Sequence, residues 1–219
     1  MSYTIDDASY QGWLWEKLGE KCVQNLKKHG FDAHLTGSID EARELIMKMI
    51  GDLETFGFGG SDTTRALGIM KELKQRGKTI YDHWQEGLSR EEDLEIRLLQ
   101  GRCDCFLCSA NAVSATGEVV NVDGIGNRTN GMTFGPKKVV IVAGMNKVAR
   151  DLTGALQRVR EVAGPLRAKS LGMQTPCAET GFCSDCNAPQ RICCITTILH
   201  RRPMLSDVSV ILINASLGF

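Results

Sequence analysis

The chain has 219 residues, 42% of them apolar, enough for one sizeable domain or a domain with a small appendage. Its 26 Lys and Arg balance 26 Asp and Glu, which argues against a nucleic-acid binder, a class that carries a basic excess. No apolar run reaches the length of a membrane span, and the acidic opening MSYTIDDASYQGWLWEKL is unlike a signal peptide. A soluble cytoplasmic protein is expected, and its nine cysteines are then thiols or metal ligands rather than disulfides.

Residues 13–29 read as a helix, with Leu14, Leu18, Cys22 and Leu26 every four residues, stopped by Gly30. A short strand over 31–35 follows. Ser38 then caps a second helix, with Glu41 three residues on, continued by Ala42, Leu45, Ile46 and Met49. Residues 1–52 are thus an N-terminal helical segment packing on the core, residues 53–219. His29 and His34 are surface or core-edge residues in this reading.

A strand over 53–56 runs into a glycine-rich turn over 57–65 and a helix over 66–76. Gly57, Gly59, Gly60, Ser61, Thr63 and Thr64 could cradle an anion with backbone N–H groups and hydroxyls. The alternative is that the glycines only make the turn, with Ser61 or Asp62 as cap. The turn is neither a Walker loop nor the dinucleotide fingerprint. Asp82, His83 and Trp84 end the next strand, 78–81, where α/β sheets place ligands, although a structural role for the pair is favoured. Ser89 caps a helix closed at Gly101. Cys103, Cys105 and Cys108 follow, with the first two expected on one strand face and the third on the other. They read as core thiols rather than a second metal site.

Strands are expected over 119–122 and 139–142, separated by a long polar turn. In it, Asp123, Asn127 and Arg128 could recognise substrate, Arg128 by forking onto a carboxylate or phosphate. Asn146 and Lys147 lie in the turn after the second of these strands. Asp151 caps an amphipathic helix, and Gly164-Pro165 restarts a shorter one. His83 and Asp123 are nominal general bases, with no pattern that singles out either. The alternation predicts an α/β protein, a layered sheet with flanking helices, whose three polar turns converge on one cleft.

The segment 175–194 reads as a loop rather than a helix or strand. Its cysteines follow C-x5-C-x2-C-x6-C through Cys177, Cys183, Cys186 and Cys193, with Cys194 beside the last. Such a set serves zinc or an iron–sulfur cluster; a disulfide loop or free thiols are the alternatives. Cys193 is taken as fourth ligand and Cys194 as a packing residue, since adjacent cysteines point apart. A final apolar strand covers 208–213.

GFGGSDTT, SANAVSATGEVVNVDG, NVDGIGNR, FGPKKVVIVAGMNKVARD, ALQRVREVAGPLRAKS and VILINASLGF resemble the lactate-utilisation (LUD) domain family, from about Leu53 onward. The resemblance implies a fold similar to the ribose-5-phosphate isomerase, glucosamine-phosphate deaminase and CoA-transferase group. It also implies a phosphate-binding role for Gly59, Gly60, Ser61 and Thr63. Members linked to lactate utilisation act with iron–sulfur and oxidoreductase partners in oxidising L-lactate to pyruvate. The cysteine run resembles an insertion in small standalone members and looks like a [4Fe-4S] site; this, with the uneven gaps between cysteines, favours iron–sulfur over zinc. The expected function is electron transfer to or from a small organic acid. The alternatives are a non-redox lyase or desulfurase with an open iron, or a regulatory module. Expected partners are a small anionic substrate, a redox protein and, through Trp13 and Trp15, a second copy of the chain, with no nucleic acid or membrane.

Overall fold

The computed structural model describes residues 7–219. Residues 1–6, which carry part of the reading against a signal peptide and open the predicted segment 1–52, lie outside the described residues. In chain order come α1 (Asp7–Lys28), β1 (Asp32–Thr36), α2 (Ile39–Ile50), β2 (Thr55–Phe58), α3 (Asp62–Ala66), α4 (Ile69–Gln75), β3 (Thr79–Asp82) and α5 (Arg90–Gln100). Then follow β4 (Cys105–Ser109), β5 (Ala112–Ser114), β6 (Val119–Asp123), α6 (Asn127–Thr133), β7 (Lys138–Gly144) and β8 (Val148–Ala149). The chain continues with α7 (Leu152–Arg158), α8 (Gly164–Ser170), α9 (Pro176–Thr180), β9 (Ile195–Leu199) and β10 (Asp207–Ile213). A π-helical stretch, Val159–Ala163, joins α7 to α8.

Among the described residues, six strands form a parallel sheet in the order β1-β10-β7-β4-β2-β3. The protein is α/β, as its alternating pattern predicts. β7 and β10 are apolar on both faces because helices cover both. Val139, Ile141 and Ala143 share a core with Cys22 and Leu26 of α1. Val140 and Val142 face the opposite way, toward Ala42, Ile46 and Ile50 of α2 and Leu73 of α4. The segment before residue 53 is part of this architecture, since β1 extends the sheet by pairing Asp32 to Thr36 against Ser209 to Ile213. No helix among the described residues is long and apolar enough to cross a membrane. Trp15 packs on the core, while Trp13 is exposed.

Four further strands form a second sheet, β8-β5-β6-β9. Its β5, β8 and β9 have too few residues, or too little alternation, to announce themselves. Other local readings also change. Gly68 adopts φ +69 and splits the expected helix over 66–76 into α3 and α4. Half of the expected polar turn is helix α6. Residues 176–180 are helix rather than loop, opened by Pro176 at its first turn and closed by left-handed Gly181. Cys103 shares a cluster with Cys108, whereas Cys105 faces the other side. Strand alternation does not reach Cys103 because β4 begins only at Cys105. All three are buried free thiols, and burial pushes Cys103 and Cys108 up to about 12.

Candidate functional site

The C-terminal ends of β2, β4 and β7, neighbours in the middle of the sheet, open into a cavity of roughly 600 Å³. This is the edge at which parallel sheets present their loops to ligands. Gly60, Ser61 and Thr63 line it; Gly57, Gly59 and Thr64 do not. Gly57 serves packing: a Cβ there would stand 3.0–3.1 Å from Cys103, Phe106 and Gln100. Gly59 lies against Cys108 and Arg128, and the Thr64 hydroxyl donates to the Ser61 carbonyl at 3.0 Å. Ser61 caps α3 by accepting from Thr64 N. The turn thus spends much of its polar capacity on itself.

Lys147 is the centre of the pocket floor. It sits in a tight turn, Met145–Lys147, at the end of β7 and is only 3% exposed. Its Nζ donates to Thr63 Oγ1 at 2.9 Å and to Ser109 Oγ at 3.0 Å. Those hydroxyls donate onward to the carbonyls of Leu217 and Ala110. Among the described residues Lys147 forms no ion pair. Burial, with Arg158, Arg128 and Arg167 nearby and Asp62 opposing them, lowers its pKa to about 7. The neighbouring Asn146 does not line the cavity: its amide donates to Gly218 O, and its oxygen accepts from Leu217 N.

Asp123, Asn127 and Arg128 all line the cavity, but each is held by the protein. The Asp123 carboxylate accepts from Ile125 N and Thr129 N, fastening the first turn of α6. Asn127 accepts from Arg97 and donates to Gln100. Arg128 donates to Asn111 Oδ1 at 2.9 Å and Val122 O at 2.7 Å, tying the two sheets together. Neither Asp123 nor His83 is placed as a free base. His83 Nδ1 lies 2.9 Å from the Gln100 amide nitrogen, and burial beside Arg97 lowers its pKa to about 4.

Trp84 forms another wall. The guanidinium carbons of Arg65 and Arg167 stand 4.5 and 4.9 Å from its ring centroid. Arg65 pairs with the buried Asp82 at 2.7 Å, and Arg167 with Asp62 at 3.2 Å. Gly60 makes this possible, because a Cβ there would stand 2.7–2.9 Å from the indole.

The cysteine segment closes the cavity. Cys177, Cys183, Cys186 and Cys193 line it, Cys194 does not, and all five are free thiols. Arg191 ties the segment together, donating to the carbonyls of Cys193 and Cys186 and to the Asp185 carboxylate. The segment is anchored to the polar turn through Cys194 N and Asp123 O at 3.0 Å, and β9 then pairs with β6. Burial raises the Cys193 thiol, Arg191 opposes it, and the nearby Cys183 and Cys186 raise it further. Among the described residues no group of three or more His, Cys, Asp or Glu is arranged to hold a metal ion.

The profile of the LUD domain matches residues 19–213. The chain belongs to the LUD domain family. The match starts within α1 rather than near Leu53, in keeping with a sheet that includes β1. This LUD domain is similar in fold to the crystal structure of a DUF162 family protein from Deinococcus radiodurans. The two share 12% identity and a TM-score of 0.53 over 91% of this chain and 98% of that one. No protein of curated function matches it.

Several residues that shape this LUD-domain cavity were outside the sequence reading: Trp84 as a wall, Arg97, Ser109, Arg167 and Arg191. Ser109 had a usable signal, because it ends a buried strand at the sheet edge where ligands bind. The arginines had none, since a lone arginine on a helix or in a loop reads as a solvated surface residue until its neighbours are known.

Proposed function

We propose that this LUD-domain protein holds a small organic acid in the cavity and exchanges electrons with it, in chemistry related to lactate utilisation. In this reading Cys177, Cys183, Cys186 and Cys193 carry a [4Fe-4S] cluster on the cavity wall. The observation that carries it is that the cysteine segment and buried Lys147 open on the same space.

The cluster fits by the chemistry of its donor set: four unpaired thiols on one segment, lining one cavity. When bound, it would supply a one-electron relay between the acid and an outside partner. The chain's own residues do the rest. Arg97, Arg128, Lys147, Arg160, Arg167 and Arg191 line the cavity against Asp62, Asp123 and Asp185, which favours an anion. Lys147 with the Thr63 and Ser109 hydroxyls offers polar contact at the floor, and Trp84 limits the volume. Arg191 keeps the cysteine backbone in place. Phe182, 80% exposed between Cys177 and Cys183, gives a redox partner an apolar point of approach. Tyr10, Trp13 and Leu14 form an exposed stripe on α1 that a second copy of the chain would cover.

The test is iron, sulfide and zinc content of protein purified without oxygen, with its absorption spectrum. About four irons and four sulfides per chain, lost in Cys183→Ala, are expected, along with bleaching or recovery of the visible band on adding L-lactate or pyruvate. One zinc and no sulfide would make the cysteine segment a structural brace and remove the electron-transfer reading.

A further inference from the structure

We infer that Lys147 is a nucleophile: its side-chain amine condenses with the carbonyl carbon of a small 2-oxo acid in the cavity to form an imine. This rests on the organic-acid reading above and names the substrate class and the reacting atom.

A buried lysine with a structural task is paired with a carboxylate or runs its ammonium out to water. Lys147 does neither. Its Nζ meets two hydroxyls, Thr63 Oγ1 and Ser109 Oγ, and it lines a cavity large enough for a small acid. The main charges that act on it are Arg158, Arg128 and Arg167, opposed by Asp62. Desolvation and neighbouring cations are the two devices that leave a lysine amine unprotonated, and so nucleophilic, at neutral pH. The C-terminal tail comes close to the amine, an approach that only glycine allows. At Gly218, with φ +59, a Cβ would reach Thr63 Oγ1 at 2.7 Å and Lys147 Nζ at 3.3 Å.

The step balances without an oxidant or reductant. The amine lone pair forms a C–N bond to the carbonyl carbon, and the carbonyl π pair moves to oxygen, which takes a proton as the nitrogen loses one. The resulting hydroxyl then takes a second proton and leaves as water while C=N forms. Thr63 and Ser109 accept hydrogen bonds from the amine and donate to the carbonyls of Leu217 and Ala110. They hold the amine's N–H groups, and the two protons that leave nitrogen end in the departing water, exchanged through solvent. Arg167, on the cavity wall, supplies charge for the acid's carboxylate.

The experiment is incubation of the full chain with pyruvate and sodium cyanoborohydride near neutral pH. Intact mass and peptide mapping follow, with binding of L-lactate measured separately by calorimetry. One carboxyethyl group per chain, mapped to Lys147 and absent from Lys147→Met, is expected. The map of the unsubstituted protein decides the matter even where that variant fails to fold. Labelling spread over exposed lysines, or none at saturating pyruvate, overturns the inference. L-lactate has no carbonyl carbon to attack at that position, so it separates the two claims. Binding of lactate without labelling retains the organic-acid site and removes the nucleophile; absence of both removes both.

Discussion

The Gln100 side-chain nitrogen stands 2.9 Å from His83 Nδ1, and this contact decides what the imidazole can do. The same nitrogen also faces the carbonyls of Phe58 and Tyr81, which only accept, so it is the NH2 end of the amide. His83 Nδ1 must then be the acceptor, and the ring proton lies on Nε2. A second ring proton on Nδ1 would point at an NH2 group. His83 is therefore held as the neutral ring near pH 7. Histidine nitrogen NMR is expected to show the Nε2–H form with no titration between pH 8 and about 5, given a pKa of about 4. Titration near the ordinary 6.5 would refute this. Because the folded pKa lies below the unfolded one, the unfolded chain binds the extra proton first. This group's contribution to stability falls as pH drops from about 6.5 toward about 4.

Lys147 gives the opposite pH window. Its pKa falls from 10.5 to about 7, so the unfolded chain holds a proton that the folded chain releases between those values. The cost of burying the ammonium is full below about 7 and relieved as pH rises toward 10.5. Lys147→Met is expected to melt at the same or a higher temperature than the parent at pH 6. Its advantage should shrink by pH 10. The hydroxyls it leaves behind keep their carbonyl partners. A melting temperature lowered equally at both pH values would show that the lysine is structural.

Gly60→Ala tests the wall formed by Trp84. The added methyl carbon meets the indole well inside contact distance, so the ring has to leave its place beside Arg65 and Arg167. A loss of about 1–3 kcal/mol in denaturant unfolding is expected, as for other overpacked sites, with a red-shifted tryptophan emission. Unchanged stability and emission would mean that the ring has room to yield.

Arg191→Ala tests what organises the cysteine segment. The variant loses the bonds to Cys186 O, Cys193 O and Asp185. Amide exchange over residues 182–194 is expected to accelerate by about tenfold or more, while β7 and β10 keep their protection. Equal exchange in both proteins would assign the order of this segment to β9 instead.

How much was legible in the sequence follows from the range of the interactions involved. Ser38, Ser89 and Asp151 cap their helices as their spacing predicts, because a cap bonds to a backbone group only three residues away. The buried strands β7 and β10 are legible as apolar runs for the same local reason. The anion turn is a mixed case. Ser61 caps α3 through a short-range bond, but the work of Gly57 and Gly60 comes from residues 100–106 and Trp84, which the local pattern leaves open.

By itself the sequence determined the α/β class, the capped starts of α2, α5 and α7, the burial of Cys103, Cys105 and Cys108, and the presence of a dense thiol segment. Tertiary structure alone decided how β6 joins β5, β8 and β9 in a second sheet. It also decided the tautomer of His83 and left Lys147 without an ion pair among the described residues. Caps and apolar periodicity are written within a few residues of chain. The charge state of a buried side chain is set by the water it has lost and by atoms up to 84 residues away, as between Lys147 and Thr63.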